Sequence, residues 1–309
     1  MSYETVKARS TRASMVGLCL LVSELMAIGV GHAQTVQSVA VSKGIEYVQT
    51  SPSAVQVNPA PPGPDYGGPY SFSADVDGLQ MSALTAPVVS GPFVLGLPGG
   101  PDAPSHNNGT LLYNPVDDGW RYGSPSANDW GMRTKAGLDA SFPNGSYQFN
   151  VGGHVISLDL AGDAYPNAPV LTLTGGVWSG GKYLVDPSQA VTITTSAFAG
   201  YGTHVDDAIG LFGPNDAQAL QLHSQIPGTN FLSLTIPASS LIAGRDYEVD
   251  AAFLALVDVH PDAGLPSSLN AAYYGAGTAL TIAAVPEPSA HLLVLIGLAG
   301  VFITVLRRR

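Results

Sequence analysis

The chain has 309 residues, of which 36 are glycine and 24 are proline, and this density of helix-breaking residues excludes a long helical bundle or a coiled coil. Only 11% of the residues are charged and 45% are hydrophobic, so the chain can bury a core and is not intrinsically disordered. The net charge of −11 disfavours nucleic-acid binding, which needs a basic surface.

The N-terminal segment has the three parts of a secretory signal peptide: basic residues, an apolar run and small residues before a cleavage point. We therefore expect a signal helix over 1–33 that signal peptidase removes between Ala33 and Gln34. The alternative is an ordinary buried helix, although nothing after this segment continues a helical period. The one cysteine, Cys19, lies within it, so the exported chain would have no disulfide, thiolate metal site or cysteine nucleophile.

Residues 34–285 form the predicted exported body, which has six basic and 20 acidic residues. Eighteen of the acidic residues are aspartates. Aspartate is favoured in turns and caps, and it also suits divalent cations bound in loops. The composition agrees equally well with a body that binds no cofactor and with one that binds calcium.

Apolar residues in the body recur with a period of two, which is typical of β-strands. The alternating runs contain Tyr70, Phe72, Ala74 and Val76; Tyr147, Phe149 and Val151; Ile156, Leu158 and Leu160; Leu171 and Leu173; Val191 and Ile193; Leu232, Leu234 and Ile236; Tyr247, Val249, Ala251 and Phe253; and Leu280 and Ile282. Short strands separated by Gly, Pro, Asn and Asp predict an all-β protein made of antiparallel sandwiches. No stretch between the two ends predicts a long amphipathic helix.

A domain boundary is predicted near Gly162, where an extended Pro-rich segment begins. We expect a leading strand and linker over 34–64, a first β-sandwich over 65–162 and a second over 163–284. In the first, the Asn144-Gly145 turn followed by Tyr147 and Phe149 resembles a late hairpin of an immunoglobulin module, and in the second the segment from Ile236 to Val249 resembles the E-to-F corner of a fibronectin type III module. In the second, Leu241 would plug the core and Tyr247 would be a corner tyrosine.

Two acidic–histidine clusters are the candidate metal ligands. One contains His204, Asp206 and Asp207, and the other contains Asp258, His260 and Asp262. On a strand, residues two apart point to the same face, so Asp258 and His260 could share one ion, with calcium preferred over zinc. The alternative is that both clusters are solvated residues that cap turns.

Aromatic residues in a Gly/Pro/Asn-rich region are candidates for stacking on sugar rings. They are Trp120, Tyr122 and Trp130. Long ordered loops are often functional, which favours binding, but the same rings could instead be buried beneath the loop. No nucleophile elbow, zinc-protease, phosphate-loop or dinucleotide motif occurs, and no catalytic residue is predicted.

The C-terminus has three consecutive parts within 285–309. Pro286, Glu287 and Pro288 come first, an apolar segment predicts a transmembrane helix over 290–306, and three basic residues end the chain: Arg307, Arg308 and Arg309. An apolar helix of this length is about 25 Å long and can cross a bilayer. The terminal arginines would stop translocation and stay in the cytoplasm.

This tail resembles the PEP-CTERM sorting signal of Gram-negative bacteria that produce exopolysaccharide. The resemblance implies an exported protein that is anchored transiently in the inner membrane by its C-terminal helix. It also implies recognition of the Pro-Glu-Pro element by an exosortase, an integral membrane cysteine protease, and delivery to the cell surface or extracellular matrix. The alternative is a plain tail anchor.

These observations predict a noncatalytic protein of the cell surface or matrix, associated with exopolysaccharide or biofilm. Two alternatives remain open: a carbohydrate-binding module and a secreted polysaccharide hydrolase with scattered carboxylates. A hydrolase needs two carboxyl groups about 5 to 9 Å apart, and eighteen aspartates allow too many pairs for the sequence to select one.

Overall fold

The structure is a computed structural model that describes residues 35–59, 68–92, 109–115, 118–122, 130–213, 221–224, 229–262 and 264–285. These residues form an all-β protein, as predicted, with one short α-helix and one 3-10 turn among them. The predicted signal segment, its Ala33–Gln34 cleavage site and the tail from Pro286 to Arg309 lie outside the described residues. No helix within the described ranges is long and apolar enough to cross a membrane.

The strands of residues 35–160 are β1 (Thr35–Gln49), β2 (Val55–Val57), β3 (Tyr70–Leu79), β4 (Val88–Ser90), β5 (Leu112–Asn114), β6 (Gly119–Arg121), β7 (Trp130–Met132), β8 (Gly145–Val151) and β9 (His154–Leu160). The 3-10 turn spans Met81–Ala83, and helix α1 spans Lys135–Ser141. The strands of residues 171–284 are β10 (Leu171–Thr174), β11 (Gly176–Ser179), β12 (Lys182–Val185), β13 (Val191–Thr195), β14 (Asp206–Phe212), β15 (Gln221–Ser224), β16 (Ser233–Ile236), β17 (Asp246–Asp262) and β18 (Leu265–Ala284).

One large sheet runs through the whole described body. Its strands follow the order β15-β14-β17-β18-β1-β3-β6-β5. In addition, β2 pairs with β1, β7 with β3, β12 with β18, and β11 with β12. Strand β1 lies beside β18 in parallel, with Ser38 opposite Leu269 and Val48 opposite Ala279. Its other neighbour, β3, is antiparallel to it. The first strand of the body therefore occupies the middle of the sheet.

Two smaller sheets cover one face of the large sheet. The first contains β4-β8-β9 and the second contains β10-β13-β16. Each encloses a core: Phe72, Phe149 and Leu158 belong to the first core, and Ile193 and Phe253 belong to the second. The core-facing residues of the large sheet alternate with outward-facing ones, which is why a period of two is visible in the sequence.

Strands of the large sheet contribute to both cores, and this differs from two tandem sandwiches. In β18, Tyr274 packs in the first core and Ile282 packs in the second. Strand β1 also reaches the second covering sheet, because the Gln49 side-chain amide accepts a hydrogen bond from the Leu171 N–H and donates one to the Leu171 carbonyl, at 2.7 and 2.8 Å. The predicted boundary near Gly162 coincides with the change from one covering sheet to the other.

The local prediction for the corner at the start of β17 agrees with the structure. Leu241 is buried in the second core. The Tyr247 hydroxyl accepts a hydrogen bond of 2.7 Å from the Ile242 N–H, five residues upstream, which is the contact of a corner tyrosine.

Candidate functional site

The last described strand leads directly into the predicted sorting motif. The Ala284 N–H donates to the Arg245 carbonyl, and the Val285 N–H donates to the Val185 carbonyl, both at 2.9 Å. The next residue is a proline, which has no N–H to continue the ladder. The ordered body is therefore hydrogen-bonded up to the residue that precedes Pro-Glu-Pro.

The first predicted metal cluster is a hydrogen-bonded turn. Asp207 is buried, and its two carboxylate oxygens contact His204 Nδ1 at 2.7 Å and the Gly202 N–H at 2.6 Å. Asp206 accepts a 2.9 Å hydrogen bond from the Asp207 N–H. The carboxylates thus satisfy donors of the turn that leads into β14.

The second predicted cluster connects β17 with β9. Asp258 and His260 lie on one face, as the strand spacing predicts, with His260 Nδ1 at 3.1 Å from Asp258 Oδ1. The other oxygen of Asp258 accepts a 2.8 Å hydrogen bond from the Asp159 N–H in β9. Asp262 instead accepts from the Gly264 N–H in the following hairpin, at 2.7 Å.

Within the ranges that the structure describes, no group of three or more His, Cys, Asp or Glu side chains is arranged to hold a metal ion. The six predicted ligands in these two clusters do not form a coordination set there. The turn-capping alternative describes the contacts of Asp206, Asp207 and Asp262, whereas Asp258 joins β17 to β9.

The predicted sugar-stacking aromatics divide between surface and core. Trp120 is partly exposed and packs against Tyr113, with ring centroids 5.5 Å apart, and its Nε1 donates to the Met81 carbonyl at 2.8 Å. Tyr122 is buried, and its ring meets Phe72 edge-on. Burial raises the pKa of Tyr122 to about 12. The side chain of Trp130 lies outside the described part.

Tyr113 was missing from the predicted set, and it is the residue that makes Trp120 part of a pair. Its hydroxyl donates to Asp118 Oδ1 at 2.8 Å, and the same carboxylate accepts the N–H groups of Gln80 and Met81. These bonds hold the Tyr113–Trp120 pair, two partly exposed aromatic rings, at one margin of the large sheet. Strand β5, Leu112–Asn114, has only three residues, which is too short for an alternating pattern to reveal it in the sequence.

A second group absent from the sequence-based candidates surrounds Lys43 in β1. The Lys43 side chain is fully buried, and its Nζ contacts Asp139 Oδ1 at 3.0 Å and Asn144 Oδ1 at 2.7 Å. Asn144 Nδ2 donates to Asp163 Oδ1 at 2.8 Å. Lys135 Nζ joins the two carboxylates, at 2.7 Å from Asp139 and 2.6 Å from Asp163. These five residues are called the Lys43 cluster below.

Helix α1 positions this cluster. Thr134 caps the helix by accepting a 3.0 Å hydrogen bond from the Gly137 N–H, and Lys135 and Asp139 then lie one turn apart. Hydrogen bonds from Lys135 and Asn144 lower the pKa of Asp163. Burial would lower the pKa of Lys135, but its hydrogen bonds to Asp139 and Asp163 raise it. The signals in the sequence were the Thr134 cap and a lysine that takes an apolar place in the alternation of Val39, Val41, Lys43 and Ile45.

The comparisons with known proteins identify the C-terminal tail. Such a tail is typical of exported proteins that are sorted at the membrane. Residues 284–309 match the family model of the PEP-CTERM protein-sorting motif. This motif implies export and processing by exosortase, a membrane protease. Comparison of the chain with curated proteins gives no match.

Proposed function

We propose that the chain is a noncatalytic protein of the cell surface or extracellular matrix that exosortase releases from a transient membrane anchor. The observation that carries the proposal is the PEP-CTERM match over 284–309. An acidic body that has no cysteine after residue 19 supports it, because such a body needs no oxidative folding after export. The host would be a Gram-negative bacterium, and the body would associate with exopolysaccharide in a biofilm.

The sorting step is tested by locating the protein and determining its C-terminus in cells with and without exosortase. We expect the wild-type chain outside the inner membrane, ending near Pro288. Without exosortase, or in a Glu287→Ala variant, it should stay in the membrane fraction with its terminal arginines. An Arg307→Lys variant is the matched control, because it keeps the charge that stops translocation. A wild-type chain that retains Arg309 in the membrane would contradict the proposal.

A carbohydrate-binding role is the second candidate, and the Tyr113–Trp120 pair favours it. Two neighbouring, partly exposed rings offer an apolar face to a sugar, and hydrogen bonds hold both of them in place. Trp120→Ala should weaken binding of the host exopolysaccharide at least about tenfold, which corresponds to about 1.4 kcal/mol. Trp178→Ala, in β11 and packed on Tyr183, is the control. Equal binding by both variants would exclude this pair as the site.

The noncatalytic assignment has its own measurement. The purified exported protein is incubated with the host exopolysaccharide, and viscosity is followed. A constant viscosity is expected, whereas a progressive fall would favour the secreted hydrolase.

A further inference from the structure

The Lys43 cluster places the fully buried amine of Lys43 against the carboxamide of Asn144, which is exposed to solvent. Nζ of Lys43 lies 2.7 Å from Asn144 Oδ1, so the amide carbon Cγ is within about 4 Å of the nitrogen. The orientation of the amide is consistent on both sides: Oδ1 accepts from the lysine, and Nδ2 donates to Asp163. The electrophilic carbon, the amine and two carboxylates are therefore already assembled.

Aromatic rings enclose the lysine. In the sheet register Lys43 lies opposite Phe72 on β3 and opposite Tyr274 on β18, and both neighbours are fully buried. The Phe72 ring stacks on Phe142, with centroids 4.1 Å apart, and Tyr274 meets Tyr165 edge-on at 4.8 Å. Phe72 and Tyr274 thus flank Lys43 on the core-facing side of the large sheet.

We propose that Lys43 and Asn144 form an intramolecular isopeptide bond in the folded protein. Asp139 Oδ1 first accepts a proton from Nζ across the 3.0 Å contact. The neutral amine attacks Cγ of Asn144, the bond between Cγ and Nδ2 breaks, and the proton on Asp139 together with the second amine proton passes to the leaving nitrogen. The products are a Lys–Asn amide and one ammonium ion, and no oxidant or reductant is needed.

Asp163 is positioned to receive the leaving group. Its Oδ1 is 2.8 Å from Nδ2, and its side chain is 43% exposed, which leaves the departing ammonium a path to solvent.

The bond would join the middle of the large sheet to the first covering sheet. Lys43 belongs to β1, whereas Asn144 immediately precedes β8, and the two residues are 101 positions apart. The exported chain is predicted to have no cysteine, so a disulfide could not supply this cross-link. The proposal is independent of the proposed function, because it concerns the covalent structure of the body and not its sorting or ligand.

The test is a tryptic map of the full-length chain, purified in the folded state and denatured before digestion. Trypsin cuts after an unmodified Lys43 and releases residues 44–121 and 136–182 as separate peptides. A linked Lys43 resists cleavage, so we expect one branched peptide that contains both segments. It should weigh one ammonia and one water less than the sum of these two peptides and the peptide ending at Lys43, because the backbone bond after Lys43 stays uncut. Separate peptides with unmodified Lys43 and Asn144 would overturn the proposal.

Intact mass alone does not decide the question. Cyclisation of an N-terminal Gln34 or of the Asn144-Gly145 pair also releases ammonia, but neither reaction creates a branch or protects Lys43 from trypsin. An ammonia loss confined to residue 34 or to an unbranched 136–182 peptide therefore also overturns the proposal.

Three variants define the roles of the residues. Lys43→Arg keeps the charge and the trypsin site and should abolish the branched peptide. Asn144→Asp should give a branched peptide of the same mass, because loss of water from the acid yields the same amide. Asp139→Asn should slow the linkage about a hundredfold or more, as expected for loss of a proton acceptor. The wild-type map remains decisive if a variant fails to fold, and a branched peptide in Lys43→Arg would overturn the assignment.

Discussion

At the scale of single residues, the most tightly constrained charge is Arg121 in β6. Its Nη2 lies 2.5 Å from Asp77 Oδ1 and its Nε lies 3.4 Å from Asp75 Oδ1, with all three side chains almost fully buried. Ser73 also donates to Asp75. Desolvated charges of this kind stabilise a fold only while each has its partner.

Replacement of Arg121 by methionine should therefore lower the free energy of unfolding by about 3–5 kcal/mol, because two buried carboxylates lose their cation. Lys182→Met is the matched control. The Lys182–Asp246 pair is 45% and 53% exposed, so its loss should cost no more than about 1 kcal/mol. Urea unfolding of both variants measures the difference. Equal losses of unfolding free energy would show that burial does not determine how strongly these ion pairs stabilise the fold.

The acid dependence of stability is expected to follow Asp163. Its pKa is lowered in the folded chain from an ordinary value of 3.8, first by a hydrogen bond from Lys135, which the proposed link leaves in place, and second by one from the Asn144 amide of the unlinked chain. The unfolded chain then binds the proton at higher pH, so this stabilisation is complete above about pH 4 and is lost as the pH falls through the lowered folded pKa. Asp163→Asn should flatten the fall in stability below about pH 4. Lys135→Met should do the same, and an unchanged acid slope in both variants would contradict the assignment.

At the scale of elements, the Lys43 cluster connects β1 with the turn before β8. A cross-link that closes a loop of about 100 residues lowers the entropy of the unfolded chain, which is equivalent to roughly 4–5 kcal/mol of stability. Lys43→Arg, which cannot form the amide, should lose about this much in a urea titration relative to the linked wild type. An identical unfolding midpoint would contradict a stabilising cross-link between these residues.

The elements that the sequence predicts well are those in which apolar residues alternate with polar ones. Phe72, Phe149 and Leu158 occupy strands with strict alternation, and each points into the first core. Helix α1 was missed because seven residues carry too little periodicity, although its Thr134 cap was visible. The parallel pairing of β1 with β18 joins residues more than 200 positions apart, and no local pattern encodes such a contact.

The candidate sites differ in predictability for the same reason. The sorting tail is contiguous, so its motif can be read directly from the sequence. The Lys43 cluster combines residues of β1, α1 and two turns, which only the fold brings together. The acidic–histidine clusters are contiguous, but backbone N–H groups of their own turns and of β9 occupy one oxygen of each of their four aspartates. Proximity in sequence corresponds there to hydrogen bonds.

At the scale of the whole molecule, the shared sheet determines how the body unfolds. Strand β18 contributes Tyr274 to the first core and Ile282 to the second, and Gln49 of β1 is bonded to the second covering sheet. Neither core can lose its part of the sheet without disturbing the other. We therefore expect one cooperative transition, whereas two tandem sandwiches would unfold in two steps.

Two core variants distinguish these cases. Phe72→Ala removes a ring stacked on Phe142 in the first core, and Phe253→Ala removes a ring stacked on Phe198 in the second. Each should cost about 3–5 kcal/mol. In a single unit, either variant lowers the midpoint of the same transition, followed both by calorimetry and by far-ultraviolet circular dichroism. If Phe72→Ala shifted one transition and Phe253→Ala shifted another, the two cores would be independent, and the strands that cross between them would not couple their stabilities.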